Sequence, residues 1–409
     1  MRKIRIAVVI IFFVLLVLPA LFFNRDMDRE LLWENRTVRA FPRTSNLIET
    51  GVRTYFIRVE DWLGDNVGFK KAAIFAHGVL QYELFGRIPN THILQGEEGQ
   101  LFYVNGNVND PQTIPPEEQK VYGSAEYIEM ILDIWDTLSE KEIPFIFAAV
   151  PNKEQVYPEY YPGEAMASPE ASQLALVAEE LAQKYGVGVV NLQKAFLEMK
   201  ADKPPLYGNT MDPSHWNELG AWLGYLEIMK EVCAQAAGVK VLDENDVVLE
   251  ESVEAPGPDG TQYGYWRGDE TVYTPKFAGG AHFEEVFSYY GRLLDRHEDE
   301  FMKGGLTEDD LAEWGFWGRA WHYRNTESGN DRTLLIIGDS YTYLFAYKYF
   351  AESFRDVYVI QSDNLYFQDM VKMAIEKSEP DIVVYELVDR MYQSAQEIHF
   401  LQMMQSAEQ

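Results

Sequence analysis

Apolar and polar positions change rhythm along the chain, and each rhythm predicts a different kind of element. The first is an uncharged run, Ile6 to Phe23 (IAVVIIFFVLLVLPALFF), preceded by Arg2, Lys3 and Arg5. Eighteen helical residues rise about 27 Å, close to a hydrocarbon core of ~30 Å, so the run predicts a transmembrane anchor. The basic flank sets the N-terminus in the cytoplasm and everything after Phe23 outside. No small-x-small cleavage site ends the run, which favours an uncleaved anchor over a signal peptide.

A polar juxtamembrane stretch then leads to Pro42. Helical spacing follows over Leu47 to Leu63 and Phe69 to Glu83. Ile93-Leu94 and Leu101-Phe102-Tyr103 flank GEEG, a turn pattern that predicts a hairpin. Ser124 to Leu138 has helical spacing with Ser124 as a cap.

From there short apolar runs alternate with helical segments. The runs are Phe145 to Val150, Val187 to Leu192, Leu334 to Ile337, Val357 to Ile360 and Ile382 to Tyr385. The helical segments include one after Ser168-Pro169, Leu219 to Ala236, Tyr341 to Glu352 and Leu365 to Lys377. Five such runs predict an α/β domain with a mainly parallel, roughly five-stranded sheet covered on both faces. Residues 248–330 break the rhythm, being rich in Tyr, Trp and Gly with a helix expected over Phe283 to Phe301. They read as an insertion, serving as a lid, a substrate wall or a structural elaboration. The expected organisation is an anchor over 1–25, a linker and helical segment over 26–90, and the main domain over 91–409.

Charge and composition narrow the partners. The net charge is −30, from 65 acidic and 35 basic residues. Such a field repels polyanions, so nucleic acid is not an expected partner. Cys233 is the only cysteine, which excludes an intrachain disulfide and a CxxC pair. Its helical neighbours predict a buried small hydrophobe.

The candidate chemistry lies in two places. In TLLIIGDSYTYLFAY a buried strand ends at Ile337, Gly338-Asp339-Ser340 turns, and a helix begins. The turn places the Ser340 hydroxyl at the carboxyl edge of the sheet, where open α/β folds bind ligands. It also sets the Ser340 N–H at a helix start, as an oxyanion donor. A serine before a helix is more often only a cap. The second place is Asp212-Pro213-Ser214-His215-Trp216-Asn217, ahead of a helix. A serine nucleophile needs a base, and the base needs a carboxylate to fix its tautomer, which an Asp three residues before a His can supply.

Asn152, just past the first core strand, is a candidate second oxyanion donor, or else a turn residue. Lys153 and Arg390 are candidate substrate-binding cations, or else bracing charges. The histidines lack metal-ligand spacing and no Gly-rich phosphate loop occurs, so neither a metal nor a cofactor is expected.

GDS with a separate DxxH resembles the SGNH/GDSL hydrolase superfamily. A wider set of segments resembles its permuted branch, the alginate O-acetyltransferase-like (DHHW-type) membrane-anchored proteins. These segments are ENRTVRAFP, HILQGEEGQLFYV, VPNKEQVYPEYYP, MDPSHWNELGAW, YRNTESGNDRTLLIIGDSYTYLF and PDIVVYELVDRMY, spread over residues 34–235 and 323–392. The resemblance implies a three-layer α/β/α SGNH-like domain in circularly permuted motif order, with Ser340 as nucleophile, His215 as general base and Asp212 as its orienting acid. The branch often has one residue between Asp and His; this chain has two, the ordinary GDSL spacing.

The implied activity is acyl transfer, most simply of acetyl, to an exported polysaccharide or cell-wall glycan, beside a membrane-bound O-acyltransferase partner. A carbohydrate acetyl esterase uses the same residues. A non-catalytic glycan-binding or assembly component is the alternative of a different class.

Overall fold

The computed structural model describes residues 2–23, 30–31, 36–37, 41–44, 51–88, 93–103, 124–161, 172–209, 212–254, 270–290, 301–303, 319–361 and 367–392. Two compact units are distinguished. One comprises residues 1–91 with 256–268 and 297–299, the other residues 92–255, 269–296 and 300–409. The expected cap Ser168 and the rest of 162–171 lie outside the described residues.

The first unit holds helices Arg2–Leu21, Val52–Asn66 and Lys70–Phe85, and a two-stranded pair, β1 (Glu30–Leu31) and β2 (Arg36–Thr37). The N-terminal helix stops at Leu21, after Pro19 in its last turn. Only sixteen of the eighteen uncharged residues are therefore helical, about 24 Å of rise. Among the described residues no helix is long and apolar enough to cross a membrane. The membrane-spanning helix expected from the sequence is thus not found among the described residues. Rings close the unit locally, with Phe22 on Phe69 at 4.7 Å and both Phe23 and Phe41 edge-on to Trp62 at 5.3 and 4.8 Å.

The second unit opens with the hairpin read from the sequence. β3 (Ile93–Gln95) and β4 (Leu101–Tyr103) pair antiparallel around Glu97–Gly99. The five apolar runs become β5 (Phe145–Val150), β6 (Gly188–Asn191), β12 (Thr333–Gly338), β13 (Asp356–Gln361) and β14 (Ile382–Val388). They lie parallel in the order β13-β12-β14-β5-β6.

Residues 248–330 change that picture. β7 (Val247–Glu254) and β8 (Glu270–Phe277) form a separate antiparallel pair. β9 (Glu284–Tyr290), β10 (Phe301–Lys303) and β11 (Arg319–Arg324) join the main sheet through β11 and β13, which run antiparallel. Among the described residues the sheet is thus mixed and eight-stranded rather than five-stranded. Of the helix expected over Phe283 to Phe301, Glu284–Tyr290 is a strand, and 291–300 lie outside the described residues. In EEVFSYY Phe287 is buried, and aromatic and β-branched side chains favour a pleated surface.

Alternation along the parallel strands fills both faces. Ile146, Ala148, Val150, Leu334, Ile336, Val357, Val359, Ile382 and Val384 pack in one cluster with residues of helices Leu192–Met199, Glu218–Gln235 and Tyr347–Ser353. Phe145, Phe147, Ala149, Leu335, Ile337, Ile360, Val383 and Tyr385 pack in the other with residues of helices Ser124–Ser139, Gln173–Glu180 and Phe367–Ser378. The result is three layers, α/β/α. Cys233, expected to be buried, is only half-buried.

Candidate active site

The site grows from the carboxyl ends of three adjacent parallel strands. β12, β14 and β5 are neighbours, and Ser340, Arg390 and Asn152 follow their respective ends within two residues. Strong burial of Leu334 to Ile337 forces the strand into the core, and the chain must turn at Gly338 to leave it. Asp339 makes that turn. Its Oδ1 accepts the Tyr341 N–H at 2.9 Å, its Oδ2 accepts the Val388 N–H at 2.8 Å, and its carbonyl accepts from Thr342 and Tyr343. Ser340 then sits half-buried at the start of the helical segment, which widens into a π-type turn over Thr342–Ala346.

The His215 loop is held by its own aspartate. Asp212 Oδ1 accepts the N–H groups of Ser214 (2.8 Å) and His215 (3.0 Å). Asp212 Oδ2 faces His215 Nδ1 at 2.9 Å, and His215 Nε2 faces Ser340 Oγ at 2.8 Å. Both contacts are satisfied at once by the tautomer with the proton on Nδ1, leaving Nε2 to accept from the serine. Ser214 Oγ lies 3.0 Å from Nδ1 and 3.2 Å from Asp212 Oδ1, so it shares the same pair. Burial opposes the Asp212 charge. The attraction and hydrogen bonding of His215, with the two backbone N–H donors, outweigh it and hold the carboxyl well below the usual carboxylate range.

Side chains tie the two loops together across 125 residues of sequence. The Trp216 indole N–H donates to the Tyr341 carbonyl at 3.1 Å. Tyr341 Oη in turn donates to the Ser214 carbonyl. The rings of Tyr341 and Phe345 lie 5.1 and 5.7 Å from the imidazole, forming its apolar wall. Behind them Arg390 Nη1 donates to Tyr341 Oη at 2.8 Å and to the Ser214 carbonyl at 3.3 Å.

Asn152 meets the same group from another side, its Oδ1 accepting the Arg390 N–H at 3.1 Å. Neighbouring Asp389 gathers Gln155, Ser172 and the Leu174 N–H, at 2.6 to 2.8 Å, so the loops after β5 and β14 are fastened to one another.

Of the two readings of Lys153, substrate-binding cation or bracing charge, its contacts are those of a bracing charge. It is fully buried, and its ammonium donates to the carbonyls of Leu101 (2.8 Å), Gly208 (2.6 Å) and Asn209 (3.2 Å). An ammonium has three donors. All are used in joining β4 to the segment ahead of Asp212, so Lys153 braces and does not face a substrate. Burial pushes its amine down to about 7, against the pull of Glu270 and Asp212. Sequence reasoning missed Ser214, Tyr341 and the buried Glu386, which accepts from the Thr342 hydroxyl beside the turn. Tyr341, next to the candidate nucleophile, carried a positional signal; Glu386 lay inside an apolar run and carried none.

Residues 93–262 match the family model of the SGNH hydrolase-like domain of acetyltransferase AlgX. This bears out the resemblance to the SGNH, alginate O-acetyltransferase-like proteins read from the sequence. Among solved structures, the chain is similar to Bacillus cereus PatB1 with a sulfonyl adduct, at 17% identity and a TM-score of 0.51, over 73% of this chain and 97% of that one. A second PatB1 structure matches at 16% identity and 0.52, over 74% and 97%. The O-acetyltransferase domain of Pseudomonas putida AlgJ aligns at 17% identity and a TM-score of 0.41, over 74% and 92%. At these identities PatB1 shows a shared fold. No curated protein matches the chain in sequence.

Proposed function

We propose that this chain, similar over residues 93–262 to the SGNH hydrolase-like domain of acetyltransferase AlgX, transfers an acyl group, simplest as acetyl, through Ser340 to a hydroxyl of a polysaccharide or cell-wall glycan. The observation that carries the reading is the continuous relay Asp212–His215–Ser340, with contacts of 2.9 and 2.8 Å.

Its chemistry runs in two halves. His215 Nε2 takes the Ser340 proton as Oγ attacks the donor carbonyl. The tetrahedral oxyanion collapses, the donor oxygen leaves with that proton, and an acyl-Ser340 ester remains. An acceptor hydroxyl then loses its proton to His215, attacks the ester, and regenerates Ser340. Asp212 stabilises the imidazolium in each half. The Ser340 N–H, at a helix start, and the Asn152 amide, after the neighbouring strand, are the donors assigned to the oxyanion. Arg390 acts through Tyr341 and Ser214 and is given a positioning role.

Localisation belongs to the same proposal. Ile6, Val9, Ile10, Phe12, Phe13, Val14, Val17 and Leu21 are exposed apolar side chains on the N-terminal helix. They favour attachment to a membrane, with the basic flank cytoplasmic and the second unit outside. A membrane-bound O-acyltransferase is the partner class that would deliver the donor there.

Transfer is separated from hydrolysis by offering the purified chain p-nitrophenyl acetate with and without an oligosaccharide acceptor. Acetylated sugar formed by wild type and not by Ser340→Ala supports transfer. Free acetate alone, at a rate the acceptor does not change, makes the chain an esterase of the same mechanism.

A further inference from the structure

The proposed reaction makes no direct use of Glu386, a carboxyl group in the centre of the sheet. It lies on β14, is 1% exposed, and accepts from the Thr342 hydroxyl through Oε2. Among the described residues Oε1 is buried without a hydrogen-bond partner. Asp339, whose carboxylate accepts from two N–H groups, is close enough to act on it electrostatically. Arg390 is the cation that acts on both carboxyls, while Asp212 draws on the same cation and on His215. Arg390 also acts on the half-buried carboxyl of Glu154, so one permanent cation faces four buried or half-buried carboxyls. A second buried anion beside Asp339 would lack a partner of its own, and such a group sheds its charge instead.

The packing sets it close against the turn. A Cβ on Gly338 would sit 2.9 Å from the Thr342 side chain and 3.2 Å from Glu386 Oε2. Glu386, Thr342 and the Gly338 backbone are therefore in close contact directly beneath the turn that presents Ser340.

We propose that Glu386 is a positioning residue held in its neutral, protonated form: through Thr342 it fixes the turn carrying Ser340 while adding no negative charge behind the oxyanion. Burial and the neighbouring Asp339 charge both act in the direction of that protonated form. An ionised Glu386 would oppose the negative charge that develops on the substrate oxygen, so its cost falls on the transition state and not on substrate binding. The inference rests on Ser340 acting as nucleophile.

Two readouts test it on the full chain. The first is kcat and KM for p-nitrophenyl acetate in wild type, Glu386→Gln and Glu386→Leu, with circular dichroism to establish folding. Gln reproduces a neutral carboxyl, so it should stay within about threefold of wild type. Leu removes the contact to Thr342 and should lower kcat by about tenfold or more at nearly unchanged KM. The second is the infrared carbonyl band of a protonated carboxylic acid at pH 7.5, which should be present in wild type and lost in Glu386→Gln. This readout needs no activity, so it decides the state of Glu386 even if Ser340 proves not to be a nucleophile. The proposal is overturned if Gln is as impaired as Leu, if the loss appears in KM, or if the band is unchanged by Glu386→Gln. A Leu variant that fails to fold leaves the Gln comparison and the infrared band to decide.

Discussion

At the scale of single residues, the candidate site is a set of charges whose partners are all short-range. Asp212 does two tasks with its two oxygens, fixing the loop through Oδ1 and the imidazole through Oδ2. Asp212→Asn keeps the size and much of the loop geometry but offers His215 the wrong partner for its Nδ1 proton. The expected loss in kcat is about 10³-fold or more with little change in KM, measured by steady-state kinetics.

Lys153→Met tests a different link. It takes the ammonium from the buried Leu101 and Gly208 carbonyls and leaves the Asn209 carbonyl with only the Leu101 N–H, which should destabilise the second unit by about 2 kcal/mol or more in urea unfolding. The sign with pH is also fixed. A lysine lowered to about 7 in the fold binds fewer protons there than in the unfolded chain, where it titrates near 10.4. Stability from this residue therefore rises with pH between those values, and Lys153→Met should remove that rise. Lys153 follows a strand end, as a substrate-binding cation would, and only the fold shows that its carbonyl acceptors come from residues 52 to 56 positions away.

At the scale of elements, the helix Glu218–Gln235 fixes the His215 loop because two of its residues have no side chain. A Cβ on Gly220 would meet the Leu206 carbonyl oxygen at 2.1 Å, and one on Gly224 would meet the Trp216 ring at 2.7 Å. Gly220→Ala should thus lower stability by about 2 kcal/mol or more, since a backbone oxygen cannot rotate away. Gly64, inside the helix Val52–Asn66, has nothing within 4 Å of the same position. Gly64→Ala should stabilise that helix by up to about 1 kcal/mol. Thermal unfolding of both variants checks the contrast.

The five parallel strands were legible because burial on both faces leaves unbroken apolar runs, such as FIFAAV and LLII. The strands β9 and β11 were not, because they lie outward from the parallel core and carry mixed faces. In RAWHYR, His322 is buried yet stacked on Tyr358 at 4.0 Å and bonded to Asp356 at 2.7 Å, a pairing across β11 and β13 that no local pattern announces. The N-terminal run was read as long enough to span a bilayer from its uncharged length alone. The helix ends at Leu21, so charge pattern marked the segment but not its helical extent.

For the whole molecule, charge sets the response to solution conditions. A net charge of −30 makes the compact state repel itself, and salt relieves that repulsion. The midpoint of thermal unfolding should rise between about 10 mM and 0.2 M sodium chloride, and a flat or falling response would contradict this. Asp212 acts in the opposite range of pH. Its folded-state carboxyl is depressed, so its contribution is complete above the unfolded value near 3.9 and is lost as pH falls below it. Acid unfolding of Asp212→Asn should consequently be shallower than that of wild type. The position of GDS and of the Asp/His element could be read from sequence, as could their likeness to an acetyltransferase-type SGNH domain. What joins them, Trp216 to Tyr341 and Tyr341 to Ser214, depends on a core that brings residues 125 and 127 positions apart into contact.

The most direct test of the account is the release of p-nitrophenol from p-nitrophenyl acetate by the purified chain and by Ser340→Ala. A rate above the buffer blank in wild type, lost in Ser340→Ala with the fold intact, is the predicted result and makes Ser340 the nucleophile. Equal rates in the two proteins would contradict it, leaving the Asp212–His215–Ser340 relay as a structural feature without the chemistry assigned to it.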